Sequence, residues 1–374
     1  MKILQVTPRY YPSIGGVEET VKQYSERLVM NLGHEVTVFT SNLDTDYSNI
    51  VNSVKVERLW TVPGVRKGPF SPVVPSMALK LLGSSFDLWH LHANKRFTTD
   101  LAAVLQKIKR TPYIFSPYAG MFGTTSLGRL HNRTIGKLAF NAETTIVISN
   151  FEKSLIEKEK VTVKRFEVLP IGVDVAEFGG ADTSFWDKYN LRDHKVILFV
   201  GRLTAHKGVD TLLRALPRVL EKDKEVKLLV VGPDFGEKAF FEKTTQDLGL
   251  TEQVIFAGKV TRPQLLGAYK VSDLFCLPSR SEAFGIVMIE AFAAGIPVVA
   301  ANNTAIPEIV RDGETGLLFD TENSKDLAEK VITILGDKKA TQNLINNAST
   351  DVAEKYNWTK IVDRLDTIYR EAIS

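Results

Sequence analysis

Short apolar runs alternate with amphipathic stretches from one end of this chain to the other, and nothing else in the sequence restricts its fold as much. KILQVT (2–7) reads as a buried strand, and GGVEETVKQYSERLVMNLG (15–33) as a helix. In that helix Val17, Val21, Tyr24, Leu28 and Leu32 recur at helical spacing, and Gly33 ends it. HEVTVFTS (34–41), VKVERLW (54–60), DLWHLH (87–92), TPYIFSP (111–117) and TTIVIS (144–149) predict further strands separated by helical stretches. This β-α-β alternation predicts a parallel sheet covered on both faces. VLPIGVDVAEFGG (168–180) breaks the rhythm with Pro, Gly and no helical period, so it is the expected linker. A second series then begins: strands KVILFVG (195–201), VKLLVVG (226–232), QVIFAGK (253–259), DLFCLP (273–278) and IPVVAA (296–301), with the short GLLFD (316–320) as an edge. TLLRALPRVLEKD (211–223) reads as a helix despite Pro217. The two series are not sequence repeats. At 374 residues the chain exceeds one ordinary domain. The expected division is 1–170, 171–355 and a terminal segment 356–374. In the last, Ile361, Leu365 and Ile368 share one helical face that needs a surface to dock on.

Charge and cysteine content narrow the function. The net charge of +3 does not call for nucleic acid. Residues 1–170 hold 22 Lys and Arg against 14 Asp and Glu, a local excess of +8 that suits an anionic acceptor or membrane surface as well as solvated helix faces. Cys276 is the single cysteine, so no intrachain disulfide forms, and its apolar strand context predicts inert core. No apolar run reaches a membrane-spanning length of about 18 residues, and the first apolar run is too short for a signal peptide. The expected location is the cytoplasm, including the inner face of its membrane.

Three constellations suit a phosphate-bearing, hydroxyl-rich ligand. In PSRSEAFGIVMIEAFAAGIPVVA (278–300), Glu282 lies before a helix and Glu290 about two turns along it. Between them, Phe284-Gly285-Ile286 offers backbone amides that a ligand can approach closely. A capped, solvated helix start would look the same in isolation. GRLTAHKGVDTLL (201–213) delivers Arg202 and Lys207 at a strand's carboxyl end, where open α/β sheets bind ligands. Gly15-Gly16 follows the first strand and opens a helix, which serves either phosphate approach or a tight turn; Glu18 and Glu19 complement the helix dipole. That loop is not G-x-G-x-x-G, and GPDFGEK (232–238) misses the P-loop spacing, so neither dinucleotide nor P-loop chemistry is indicated. No metal-ligand cluster is visible.

These motifs, in this order over most of residues 196–320 and again near both termini, resemble the retaining glycosyltransferases of family 4. The resemblance implies a GT-B fold, with two Rossmann-like doubly wound parallel-sheet domains, a cleft between them and a C-terminal helix crossing back to the first. It implies sugar transfer from a UDP-, GDP- or ADP-linked donor to a sugar or lipid-linked acceptor hydroxyl, with no cofactor or metal. Arg202 and Lys207 would contact the donor diphosphate, and Glu282 the donor sugar. Glu290 would accept hydrogen bonds from the ribose, and the amides of Phe284, Gly285 and Ile286 would hold sugar hydroxyls or phosphate. The backbone of Lys259 and Val260, in AGKV (257–260), would read the base. Gly15 and Gly16 would serve donor phosphate or acceptor. Where the family often has a His near the donor sugar, this chain has Tyr118, in SPYAGMFG (116–123); a phenol titrates near 10 and cannot act as an imidazolium. Tyr118, His92 and its neighbour His90 are candidate cleft residues, while His131 and His206 have no assigned role. Retention by front-face attack, the leaving phosphate oxygen taking the acceptor proton, is likewise implied by the resemblance. Two other readings fit the two-domain plan: a nucleotide-sugar epimerase or phosphorylase, and a non-catalytic nucleotide-sugar-binding partner. Acceptor identity is not legible. PGVRKGPFSPVVPSMALKLLG (63–83) and KEKVTVKR (158–165) mix basic and apolar residues, as peripheral membrane contact or plain solvated segments would.

Overall fold

The computed structural model describes residues 1–13, 15–41, 49–59, 76–94, 96–118 and 134–374. His131, residues 63–75 of the basic-apolar stretch and residues 119–123 after Tyr118 lie outside them. The chain divides into two compact units, Met1–Ile171 with Trp358–Ser374, and Gly172–Asn357.

The first unit is built on β1 (Lys2–Val6), β2 (Glu35–Ser41), β3 (Ile50–Val51), β4 (Val54–Leu59), β5 (Leu88–His92), β6 (Tyr113–Ser116), β7 (Thr144–Val147) and β8 (Phe166–Val168). They form one sheet in the order β3-β4-β2-β1-β5-β6-β7-β8. Every neighbouring pair is parallel except the β3–β4 hairpin. The central strands are buried on both faces because helices cover both: Ile3, Leu4, Val6, Leu88, Trp89 and Leu91 are fully buried, as are the polar Gln5, His90 and His92. β3 and β8 were not expected from the sequence; two and three residues are too short to show a period.

The terminal helix Trp358–Ile373 belongs to this first unit and packs on the helix Gly16–Met30 and on β5 and β6. Ile361, Leu365 and Ile368 are buried as their shared face requires, with Trp358, Val362 and Tyr369 beside them. Trp358 meets Tyr24 edge-on at 5.8 Å, and His34 Nε2 pairs with Asp366 Oδ1 at 2.7 Å. Burying each large apolar side chain contributes about 1.5–3 kcal/mol, which holds a terminal segment that would otherwise fray.

The second unit carries β9 (Lys195–Val200), β10 (Val226–Val231), β11 (Val254–Gly258), β12 (Leu274–Leu277), β13 (Val298–Ala301) and β14 (Leu317–Phe319). The sheet is parallel throughout, in the order β11-β10-β9-β12-β13-β14, with β14 on an edge as its short sequence implied. Cys276 is fully buried in β12, and burial raises its thiol pKa. The boundary between the units, Ile171–Gly172, falls within the expected linker 168–180, and the segment is ordered. Val168 closes β8, and Val175–Gly180 forms a 3-10 turn in which Asp174 accepts from the Ala176 amide at 3.0 Å. Phe178 anchors that turn, buried against Tyr269. An Asp cap and one aromatic anchor are enough to order a turn with no helical period. Among the described residues no helix is long and apolar enough to cross a membrane.

Candidate active site

In the second sheet, strand order reverses between β9 and β12: β10 and β11 extend to one side, β13 and β14 to the other. Ligands of open α/β sheets bind outside the carboxyl ends at such a reversal. The loop leaving β9 carries Arg202 and Lys207; the loop leaving β12 carries Ser279, Arg280 and Glu282. The two loops touch backbone to backbone at Gly208, which sits at φ +67°. A Cβ there would fall 2.0 Å from the Pro278 carbonyl oxygen, so only glycine fits. Arg280 then clamps the loops. Its guanidinium donates to both oxygens of Asp210 at 3.0 Å, to Glu322 at 2.5 Å and to the Ala205 carbonyl, and its amide donates to the His206 carbonyl at 2.8 Å. The hydrogen bonds it donates to Asp210 hold the Arg280 pKa above its usual value, against the opposing effect of burial.

The clamp brings Lys207 and Glu282 together. The Lys207 ammonium donates to Glu282 Oε1, which also accepts from Ser279 Oγ at 2.8 Å. The two side chains are only 14% and 11% exposed, so their mutual charge is weakly screened. The Glu282 amide donates to Thr304 Oγ1 at 2.9 Å, and the Thr304 hydroxyl donates to Asn303 Oδ1 at 2.9 Å. Asn303 Nδ2 returns to the Ser279 carbonyl at 2.8 Å, so the carboxylate is fixed from several sides.

Three residues on, Gly285 at φ +98° starts the helix Ile286–Ala294, with no side-chain cap on its leading amides. The helix thus offers bare N–H groups and its positive end beside the Lys207–Glu282 pair. Phe284 is buried edge-on against Tyr356, which anchors the turn. Arg202 is exposed, its guanidinium 5.3 Å from the centre of the Phe235 ring. Burial first, then the charges of Lys207 and Arg202, lower the pKa of His206 and favour its neutral ring against Glu282.

Glu290 occupies the fifth position of this helix, so it lies one turn along it and not two. It is 6% exposed, and both carboxylate oxygens are engaged: Arg262 donates to Oε1, and Tyr269 OH to Oε2 at 2.9 Å. Arg262 also reaches Glu177 at 2.7 Å. Burial opposes the Arg262 charge, yet Glu290 and Glu177 keep its pKa above the usual value. Exposed Lys259 and half-buried Val260 follow β11 and lead into the helix that Arg262 opens. Lys259 and Val260 thus join the Glu290 side of the site through chain connectivity; Lys207 and Glu282 form the other side. Sequence reading missed Arg262, Tyr269, Arg280, Ser279 and Thr304. Thr261 and Gln264, whose side chain accepts from the Thr261 amide at 3.0 Å, form a T-x-x-Q signature that marks Arg262 as opening a helix at a strand's carboxyl end.

In the first unit the order reverses between β1 and β5. Gly15 caps the helix Gly16–Met30 in extended conformation, and the Glu18 carboxylate folds so close that a Cβ on Gly15 would meet Oε2 at 2.2 Å. An anion approaching these amides displaces Glu18 first. His92, read as a cleft residue, is fully buried: Nε2 bonds Gln5 Oε1 at 2.5 Å, and Nδ1 is 3.4 Å from Tyr118 OH. His90 is equally buried between Tyr369 OH at 2.6 Å and Ser116 Oγ at 2.8 Å. Both imidazoles therefore belong to a polar network tying the terminal helix to β1, β5 and β6, and they line no surface. Tyr118 alone of this group is partly exposed, at a strained φ of +48°, and burial raises its pKa well above 10. Among the described residues, no three His, Cys, Asp or Glu side chains converge as a metal site.

Comparison with known proteins agrees with this architecture. Residues 14–177 match the family model for Glycosyltransferase Family 4, and residues 182–351 that for Glycosyl transferases group 1. An uncharacterized glycosyltransferase of Methanocaldococcus jannaschii is 31% identical, over 100% of this chain and 99% of that protein. The phosphatidyl-myo-inositol mannosyltransferase of Mycobacterium leprae is 27% identical over 99% and 96%. Among solved structures, the sucrose-phosphate synthase of Thermosynechococcus elongatus superposes with a TM-score of 0.81 at 22% identity, over 99% of this chain and 98% of that one. HepE of Anabaena, solved with UDP, gives 0.82 at 21% over 99% and 100%. Two parallel-sheet units, the paired loops at the second reversal point and these matches together place the chain in glycosyltransferase family 4, as a hexosyltransferase of the GT-B fold.

Proposed function

We propose that the enzyme moves a sugar from a nucleoside-diphosphate sugar to an acceptor hydroxyl, with retention at the anomeric carbon and without a metal ion. The observation that carries this reading is the Lys207–Glu282 pair beside the uncapped start of the helix Ile286–Ala294, at a strand-order reversal. Transfer breaks the bond between the anomeric carbon and the phosphate oxygen, forms the bond to the acceptor oxygen, and leaves the acceptor proton on the departing diphosphate. Negative charge grows on that diphosphate. Lys207, Arg202 and the amides of Gly285 and Ile286 supply fixed positive charge there, more useful in the transition state than in the ground state. One such contact at 4 Å is worth about 4 kcal/mol at an effective dielectric near 20. Each 1.4 kcal/mol or so gained selectively is tenfold in rate. Two cations and a helix end can therefore take the place of a divalent ion. Glu282 holds donor-sugar hydroxyls and balances the positive charge developing on the sugar ring. Glu290, held between Arg262 and Tyr269, accepts from the ribose, and the backbone at Lys259 and Val260 faces the base. Gly15 and Gly16 serve phosphate or acceptor.

Solved relatives hold UDP and UDP-glucose, and the GDP-mannose:cellobiosyl-diphosphopolyprenol alpha-mannosyltransferase of Xanthomonas campestris is 23% identical over 100% of this chain. With the phosphatidyl-myo-inositol mannosyltransferase, these support a UDP- or GDP-linked donor and a lipid-linked acceptor. The test is direct. Thermal-shift screening of UDP-, GDP- and ADP-sugars identifies the donor by mass action. Glu282→Gln, Arg202→Ala and Lys207→Ala then each lower release of its nucleoside diphosphate by about 100- to 1000-fold; unchanged turnover in all three removes the site.

A further inference from the structure

The described end of one basic-apolar segment, residues 76–83, and part of the other, residues 160–162, lie beside one helix, Phe97–Lys109. Thr98, Thr99, Ala102 and Ala103 bury its inner side, which leaves Val104, Lys107 and Ile108 exposed outside. The helix Ser76–Gly83 packs beside it, burying Met77 and Leu81 and exposing Leu79 and Leu82. Lys109 Nζ pins the two together through the carbonyls of Leu82 and Ser84, at 3.2 and 2.7 Å. On its other flank the helix Gly136–Phe140 packs, preceded by exposed Ile135. Ile108 and Leu79 are 67% and 71% exposed, far more than large aliphatic side chains need to be.

Beside this rim lies a cavity of about 360 Å³ lined by Lys107, Lys137, Lys160, Asn141 and Thr162. Among the described residues none of the three lysines forms an ion pair, and no carboxylate lines the cavity. Glu159, next to Lys160 in sequence, does not line it, and Glu143, two residues past Asn141, is paired with Lys164. The bias runs through the sequence: residues 101–142 contain no Asp or Glu at all but six Lys and Arg. Lys107, Lys137 and Lys160 stand before the amino ends of β6, β7 and β8, away from the carboxyl ends where the sheet binds ligands. The transferase site therefore does not account for them.

We infer that this face of the first unit docks on an anionic phospholipid surface. The Lys107–Lys137–Lys160 cavity takes headgroup phosphates, and Ile108, Val104, Leu79, Leu82 and Ile135 enter the headgroup boundary. Composition argues for lipid over a protein partner. Protein interfaces favour aromatic residues and Arg and are depleted in Lys, whereas this face presents aliphatic side chains among lysines. Aliphatic residues interspersed with long ammonium stems are what an interfacial surface uses. This deepens the lipid-linked-acceptor reading of the proposed function, since docking would hold the enzyme on the surface that carries its acceptor.

Flotation of the full chain with vesicles tests the inference and needs neither donor nor acceptor. The chain floats with phosphatidylcholine vesicles containing phosphatidylglycerol, stays behind with phosphatidylcholine alone, and is released by high salt. Each lysine near such a surface is worth roughly a five-fold change in partitioning, so Lys107→Gln with Lys137→Gln lowers it roughly 25-fold. Ile108→Ser weakens it several-fold. All variants keep the wild-type thermal melt and donor hydrolysis. Absence of flotation, or flotation indifferent to these changes, overturns the inference, as does binding of inorganic phosphate or polyglutamate through the same lysines without vesicle binding. Donor turnover is scored separately, so loss of docking leaves the transferase reading standing, and failure of the Glu282 and Lys207 variants to affect turnover leaves docking standing.

Discussion

Arg280 is expected to act on catalysis through Lys207 without touching the substrate. Its fork to Asp210, 17% exposed, is two charge-assisted hydrogen bonds, worth about 1.5–3 kcal/mol together in this setting. The Glu322 contact is discounted because Glu322 is 59% exposed. Arg280→Ala therefore costs about 1.5–3 kcal/mol of stability, a fall in Tm of roughly 3–12 °C for a unit of this size. It also frees the turn Ala205–Lys207, whose Ala205 carbonyl the guanidinium holds. If the ammonium retreats from 4 to 6 Å from the diphosphate, about 1.4 kcal/mol of interaction is lost at an effective dielectric near 20, which is tenfold in kcat. Arg280→Lys keeps the charge but not the fork and falls between. The decisive assay is a double-mutant cycle on nucleoside diphosphate release. On a Lys207→Ala background, Arg280→Ala lowers kcat by no more than about threefold further, because the residue it positions is already gone. Effects that multiply, or an Arg280→Ala enzyme with wild-type kcat, refute the coupling.

Three further outcomes follow from the geometry. Glu290→Gln keeps the Tyr269 contact but leaves Arg262 with Glu177 alone, so Tm falls by several degrees, and donor KM rises about tenfold if ribose binding uses the same carboxylate; a Tm change with unaltered KM confines Glu290 to structure. His92 is buried with its pKa lowered to about 3 by desolvation, so the unfolded chain, titrating near 6.5, binds the extra proton. Stability is complete above pH 6.5 and falls as pH drops toward 3, by about 2 kcal/mol from this residue at pH 5, and His92→Gln flattens the Tm profile between pH 7.5 and 5. Leu365→Ala in the terminal helix, fully buried, costs about 2–5 kcal/mol in chemical denaturation; a cost under about 1 kcal/mol means the helix is not docked as described.

The sequence by itself determined the elements, the two parallel sheets and which loops carry charge, because strand and helix periods and the position of glycines are local properties of the chain. The strands of the second unit fall on their apolar runs, and Lys207 and Glu282 stood out as candidate site residues from their place after strands. Tertiary structure decided the rest. That Lys207 meets Glu282 depends on β9 and β12 being neighbours although 73 residues separate Val200 from Leu274, and on a glycine that lets two loop backbones touch. Arg262 and Arg280 drew no role from the sequence, and packing gave them carboxylate partners. His92 looked available until β1, β5 and the terminal helix closed over it. Burial and pairing are sums over distant contacts, and no local spacing encodes them.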